Sequence, residues 1–118
     1  MRLIRSGATR YVLLTRRYAF KIPSLRNWRC FLWGLLANMQ ERAFGTLGLK
    51  ELCPVLFYLP GGFLVVMPKA EVMDEDAFAD FDYEGFINSV ADMVLPVEEK
   101  ASSFGMLDGR VVAIDYGS

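Results

Sequence analysis

The sequence predicts one small α+β domain, and three observations carry that expectation. Two pairs of short apolar runs are each joined by turn-forming residues. A long stretch with helical spacing separates or flanks them, and an acidic, cap-rich region leads into a last hairpin. At 118 residues, with 53% hydrophobic and 14% aromatic side chains, the chain can build one core and is too short for two ordinary domains.

Residues 11–14 and 18–22 alternate around the polar turn Thr15-Arg16-Arg17, as a β-hairpin requires. In its second strand Tyr18, Phe20 and Ile22 share one face, and Ala19 and Lys21 share the other. Pro23 ends that strand, and Ser24 or Asn27 can cap a helix over about residues 25–44, which Gly45 stops. Within it Phe31, Leu32, Leu35, Leu36 and Met39 fall at helical spacing and are expected to pack the core. If one small sheet cannot cover that surface, Trp28, Phe31 or Trp33 can form a homodimer interface.

Residues 54–59 and 63–67 read as a second hairpin around Pro60-Gly61-Gly62, with both strands apolar enough to be largely buried. In the acidic stretch that follows, Asp74 or Asp76 caps a short helix, and Asp82 starts a longer one through Met93, closed by Pro96. A loop then leads to Met106-Leu107, an Asp108-Gly109 turn and a strand over residues 110–114.

Composition narrows the chemistry. The chain has no histidine, so histidine bases, histidine-assisted nucleophiles and histidine-ligated zinc are excluded. Cys30 and Cys53 lie in apolar runs without CxxC spacing, which points to two buried thiols in a reducing compartment. The N-terminus lacks a signal-peptide run, and the most apolar segment, residues 28–39, is too short to span a bilayer and is interrupted by Arg29. A soluble, cytoplasmic protein without a membrane partner is expected. Charge is polarised: the first 50 residues hold ten basic side chains against Glu41 alone, and the remainder holds three against thirteen acids. A nucleic-acid partner is not favoured, because the basic residues are not interleaved with glycine-aromatic patterns.

Lys21 stands out because an ammonium on the inner face of a strand must be paired or must serve a ligand. Glu41, the lone acid of its region, is a candidate partner; the alternative is a lysine that reaches solvent beside an ordinary surface glutamate. Asp115-Tyr116-Gly117 follows an apolar strand, at the end of a hairpin. Together these residues resemble the protein-kinase and aminoglycoside-phosphotransferase pattern, in which a strand lysine, a helix glutamate, a catalytic loop and an Asp-Phe-Gly triplet occur in that order. Ala19-Phe20-Lys21 is similar to the Ala-x-Lys of the third kinase strand, and residues 63–70 are similar to the fifth strand and hinge.

The resemblance implies an N-lobe-like part over residues 1–70, an antiparallel sheet with one long helix, and a truncated, helical and hairpin C-lobe-like part over 71–118. It implies ATP and Mg²⁺ as ligands. Ala19, Lys21, Glu41, the gatekeeper Met67, the Pro68 carbonyl and the Ala70 amide would surround the nucleotide, and Asp115 and Ser103 would hold the metal. Glu98 would be the base and Lys100 would meet the transferred phosphoryl group. The sequence departs from the family where Glu98-Glu99-Lys100-Ala101-Ser102-Ser103 stands for Asp-x-Lys/His-x-x-Asn, and where a single Gly7 replaces the glycine-rich loop. Only Ser118 follows the triplet, which reads as a missing substrate platform. The expected function is therefore a degenerate kinase-like protein, or pseudokinase, that binds nucleotide, a host or regulatory protein, or both. Its size is similar to that of small phage accessory proteins. The alternatives are an active minimal phosphotransferase and an interaction or inhibitor protein with no nucleotide site.

Overall fold

The structure, a computed structural model, describes residues 9–89 and 97–116 and the backbone of residues 2–6. Five strands, β1 (Arg2–Ser6), β2 (Arg10–Leu14), β3 (Tyr18–Pro23), β4 (Phe57–Leu59) and β5 (Leu64–Pro68), form an antiparallel sheet in the order β1-β2-β3-β5-β4. Helix α1 (Trp28–Gly45) connects β3 to β4. A second antiparallel sheet holds β6 (Glu71–Val72), β7 (Phe104–Leu107) and β8 (Arg110–Ala113), with the short helices α2 (Glu75–Ala79) and α3 (Tyr83–Ser89) between β6 and β7. The α+β expectation holds. None of the helices among the described residues is long and apolar enough to cross a membrane.

The first hairpin forms where its turn chemistry requires it. The Thr15 amide donates to the Tyr18 carbonyl at 2.9 Å, and the Tyr18 amide donates to the Thr15 hydroxyl at 3.2 Å. Strand β3 is central, and Lys21 lies opposite Val12 on one neighbour and Val65 on the other. Ala19 and Lys21 are buried while Tyr18 and Ile22 are exposed, so the alternation read from the sequence is observed. Strand β1, which the sequence pattern did not suggest, extends the sheet by pairing with β2.

Helix α1 begins at Trp28, later than expected, because the Asn27 side chain accepts from the Cys30 amide at 2.8 Å and supplies the cap. Its orientation corrects the expectation of an apolar inner face. The buried residues are Gly34, Ala37, Asn38, Glu41 and Gly45, whereas Trp28, Leu32, Trp33 and Leu36 are exposed. Close approach is the reason. A Cβ at Gly34 would run into the Thr9 carbonyl and Pro23, one at Gly45 would meet Val55 and the Tyr116 hydroxyl, and one at Gly62 would meet the Leu35 carbonyl. Only small residues and the two polar side chains that serve the buried site fit on that side.

The second hairpin is also corrected in part. Residues Val65, Val66 and Met67 of β5 are buried as expected, but β4 is shorter than predicted and exposes Phe57 and Leu59. It is the edge strand, paired only with β5. The turn between them places Gly61 at φ 79° and Gly62 at φ 83°, a region that disfavours a side chain.

The acidic stretch contributes aromatic side chains to the interior. Its carboxylates face water, while Phe78, Phe81, Tyr83 and Phe86 surround the fully buried Phe104, with ring centroids 4.9–6.0 Å from it. Asp74 caps α2 by accepting from the Ala77 amide at 2.7 Å, and Asp82 accepts from the Gly85 amide at 3.0 Å at the start of α3. The expected extension of that helix to Met93 and its closure by Pro96 lie outside the described residues. The Asp108-Gly109 turn has both residues at positive φ, 53° and 80°, as the sequence pair implies. Cys30 and Cys53 are both free, but only Cys53 is buried.

Candidate functional site: a buried ion cluster

Two connections bring the C-terminal segment beneath α1. The Cys53 amide donates to the Ala113 carbonyl, and the Ala113 amide donates to the Glu51 carbonyl, each at 2.9 Å. Strand β8 thus runs beside the chain leaving α1, and Ile114, Asp115 and Tyr116 emerge against the helix.

There they meet Lys21 and Glu41. The Lys21 ammonium donates to both Glu41 carboxylate oxygens at 3.0 and 3.1 Å and to the Ile114 carbonyl at 2.6 Å. Those contacts turn the ammonium onto the Glu41 carboxylate and the Ile114 carbonyl. Arg10, from β2, forks onto Glu41 with bonds of 2.7 and 3.1 Å, and its guanidinium also donates to Asp115 at 2.8 Å and to the Asn38 side chain at 3.2 Å. The Tyr116 amide donates to Glu41 at 3.1 Å, and the Asn38 amide group donates to the carbonyls of Lys21 and Gly62 at 3.0 and 2.9 Å. Two cations therefore face two carboxylates, and Arg10, Lys21 and Glu41 are almost completely withdrawn from solvent.

Burial and pairing compete at each charge. For Glu41 burial pushes the pKa up, but Lys21 and Arg10 more than offset it and hold the carboxyl below its usual range. Burial pulls the Lys21 ammonium down despite Glu41, and Arg10 adds to that effect. Burial also works against the Arg10 charge, yet Glu41 and Asp115 outweigh it and leave the guanidinium more basic than usual. Nearby, burial raises the Cys53 thiol to about 11 and the Tyr116 phenol as well; the phenol donates to the Cys53 carbonyl at 2.6 Å.

Of the residues singled out in the sequence, Lys21, Glu41 and Asp115 come together, the last through Arg10. Ala19 and Met67 are buried opposite each other on β3 and β5. The Pro68 carbonyl accepts from the Cys53 thiol at 3.5 Å, and Ala70 is half-buried where Gly105 packs closely against it. Glu98 and Lys100 are exposed and pair with each other at 3.2 Å; neither shares a hydrogen bond or ion pair with the cluster. Ser103 is buried, with its carbonyl accepting from the Ile114 amide at 2.8 Å and its hydroxyl left without a partner among the described residues. Gly117 and Gly7 lie outside the described residues.

The groups expected to meet Mg²⁺ and a nucleotide are engaged with one another: one Asp115 oxygen is paired with a guanidinium, Glu41 is saturated, and the Lys21 ammonium is bonded to Glu41 and to a backbone carbonyl. Among the described residues no group of three or more acidic or cysteine side chains is placed to hold a metal ion.

Arg10, Asn38 and Tyr116 were not singled out by their roles in the sequence. Arg10 was legible: it lies two residues before Val12, hence on the same strand face as the residue opposite Lys21. Asn38 precedes Glu41 by one helical turn and shares its face. Compared with known proteins, the chain matches no family model, no curated protein and no solved structure. Functional inference therefore rests on these residues.

Proposed function

We propose that this chain is a degenerate kinase-like protein that acts by binding a protein partner and transfers no phosphoryl group. One observation carries the reading: the Lys21 ammonium and the facing oxygen of Asp115 are bonded to partners within the protein. Support for the kinase likeness comes from position. The lysine stands on the third strand, the glutamate on the helix after it, the hinge-like segment on the fifth strand, and the aspartate just beyond a hairpin.

In phosphoryl transfer such a lysine and aspartate work by presenting charge to phosphates and metal. Here the same charges neutralise one another. Opening the cluster means withdrawing Arg10 from Asp115 and Lys21 from the Ile114 carbonyl, a cost that works against any nucleotide bound there. An active phosphotransferase with Glu98 as base is less well supported, since Glu98 and Lys100 lie on the surface bonded to each other. The ion cluster serves instead to clamp α1, the sheet and the C-terminal segment in one geometry.

Thermal unfolding with Mg-ATP tests this. No rise in Tm is expected at several millimolar nucleotide, and no transfer of labelled γ-phosphate to the chain. A concentration-dependent rise that follows the binding isotherm would overturn the sealed-site reading.

A further inference from the structure

The clamp turns the apolar side of α1 outward, and that side has the properties of an interface. Trp28 is 76% exposed, Trp33 58%, and Leu32 and Leu36 52% each, with Met39 and Phe63 alongside. Aromatic rings join its near end: the Phe31 ring lies 5.8 Å from Trp28 and 6.3 Å from Phe63, centroid to centroid. Taking ~200 Å² for a large apolar side chain, the five that share one side, Trp28, Leu32, Leu36, Met39 and Phe63, expose roughly 540 Å². That is near the top of the ~300–600 Å² range for the largest patch of an ordinary monomer and about two-thirds of the ~800 Å² on one side of a standard interface.

Shape and charge say what fits. Trp28, Leu32, Leu35 and Met39 repeat at intervals of four, three and four, the seam that receives another helix. They run about 16 Å along the helix, or three turns of a partner. A shallow, open depression lined by Leu25, Asn27, Trp28 and Phe31 lies at one end. The exposed charges on and beside the helix, Arg26, Arg29 and Arg42, are all positive, while Glu41 is consumed by the cluster. A second copy laid antiparallel on this face would set arginines against arginines. The acidic stretch of another copy offers no apolar side to meet it, because Phe78 and Phe81 are turned onto Phe104.

We propose that the outer face of α1 is a docking surface for an amphipathic helix of a partner protein whose flanks are acidic. This deepens the binding role proposed above. Its test reads a surface rather than the nucleotide site, so either can fail without the other.

Trp28 lies in the seam and Trp33 on its flank, which makes tryptophan emission a reporter of burial on this side of the helix. The full chain is titrated with a synthetic helical peptide about as long as α1, carrying leucine along one seam and glutamate on its flanks, and with a lysine-flanked twin. The expected result is a saturable blue shift with the glutamate peptide, about ten-fold tighter than with the twin. Leu32→Asp should abolish the shift without lowering Tm, and Arg26→Glu with Arg29→Glu should reverse the preference. No binding by either peptide, or equal binding by both, would overturn the proposal. So would a free chain that dimerises with emission already blue-shifted, or a shift produced by phosphatidylserine vesicles and not by the glutamate peptide.

Discussion

One apolar cluster runs from Val65 and Met67 through Leu52 and Cys53 to Phe104 and Tyr116, and the two regions at its ends are organised in unlike ways. Beneath α1 the centre is ionic, with Arg10, Lys21, Glu41 and Asp115 in mutual contact; around β7 it is aromatic, with four rings gathered on Phe104. An ionic centre depends on every partner being present, since a buried charge left alone is far worse than the pair is good. An aromatic centre degrades gradually, because each ring contributes area. The contrast teaches why α1 could turn its apolar face away: its inner side was recruited to neutralise charge.

The largest effect should come from Glu41→Ala, which leaves two buried cations facing only Asp115. A loss of about 3–5 kcal/mol is expected, a large part of the stability of a domain this size, read from urea unfolding. Phe104→Ala should cost nearly as much, about 3–5 kcal/mol, by emptying the aromatic centre. Acid separates the two. The Glu41 carboxyl has a folded pKa below its unfolded value, so its contribution is present at neutral pH and is lost as pH falls through that lowered value. The penalty of Glu41→Gln relative to the natural chain should therefore shrink on acidification, whereas that of Phe104→Ala should stay constant. A constant Glu41→Gln penalty down to the acid transition would contradict an ionised Glu41. The smallest effect is at the edge of the aromatic half: Asp74→Ala removes the α2 cap and should cost about 1 kcal/mol, without altering peptide binding at α1.

Much of the fold was legible where a local cause sufficed. Thr15-Arg16-Arg17, Pro60-Gly61-Gly62 and Asp108-Gly109 each marked a turn by backbone chemistry, and Asn27 and Asp74 were among the candidate caps that act as such. The Lys21–Glu41 pair was legible from the strand alternation and from the scarcity of acids around it. The facing of α1 was not. The helix carries one stripe of large apolar residues and another of Gly34, Asn38, Glu41 and Gly45, and periodicity reports both without saying which meets the sheet. That choice belongs to tertiary contact, to the approach at Gly34 and Gly62 and to the charge on Arg10. The polarity of charge along the chain was equally ambiguous. Among the described residues one ion pair, Arg10 with Asp115, joins the basic half to the acidic half. Strand β6 escaped notice because two residues carry too little pattern.

That same bond joins positions 105 residues apart, and its consequence concerns the order in which the chain is made. The first three strands and α1 emerge from synthesis with two cations and one carboxylate destined for the same interior. Until Asp115 and the Tyr116 amide arrive, water must stay in that interior. The basic half is therefore expected to stay open until residues 115 and 116 have been made, as contacts of such separation require.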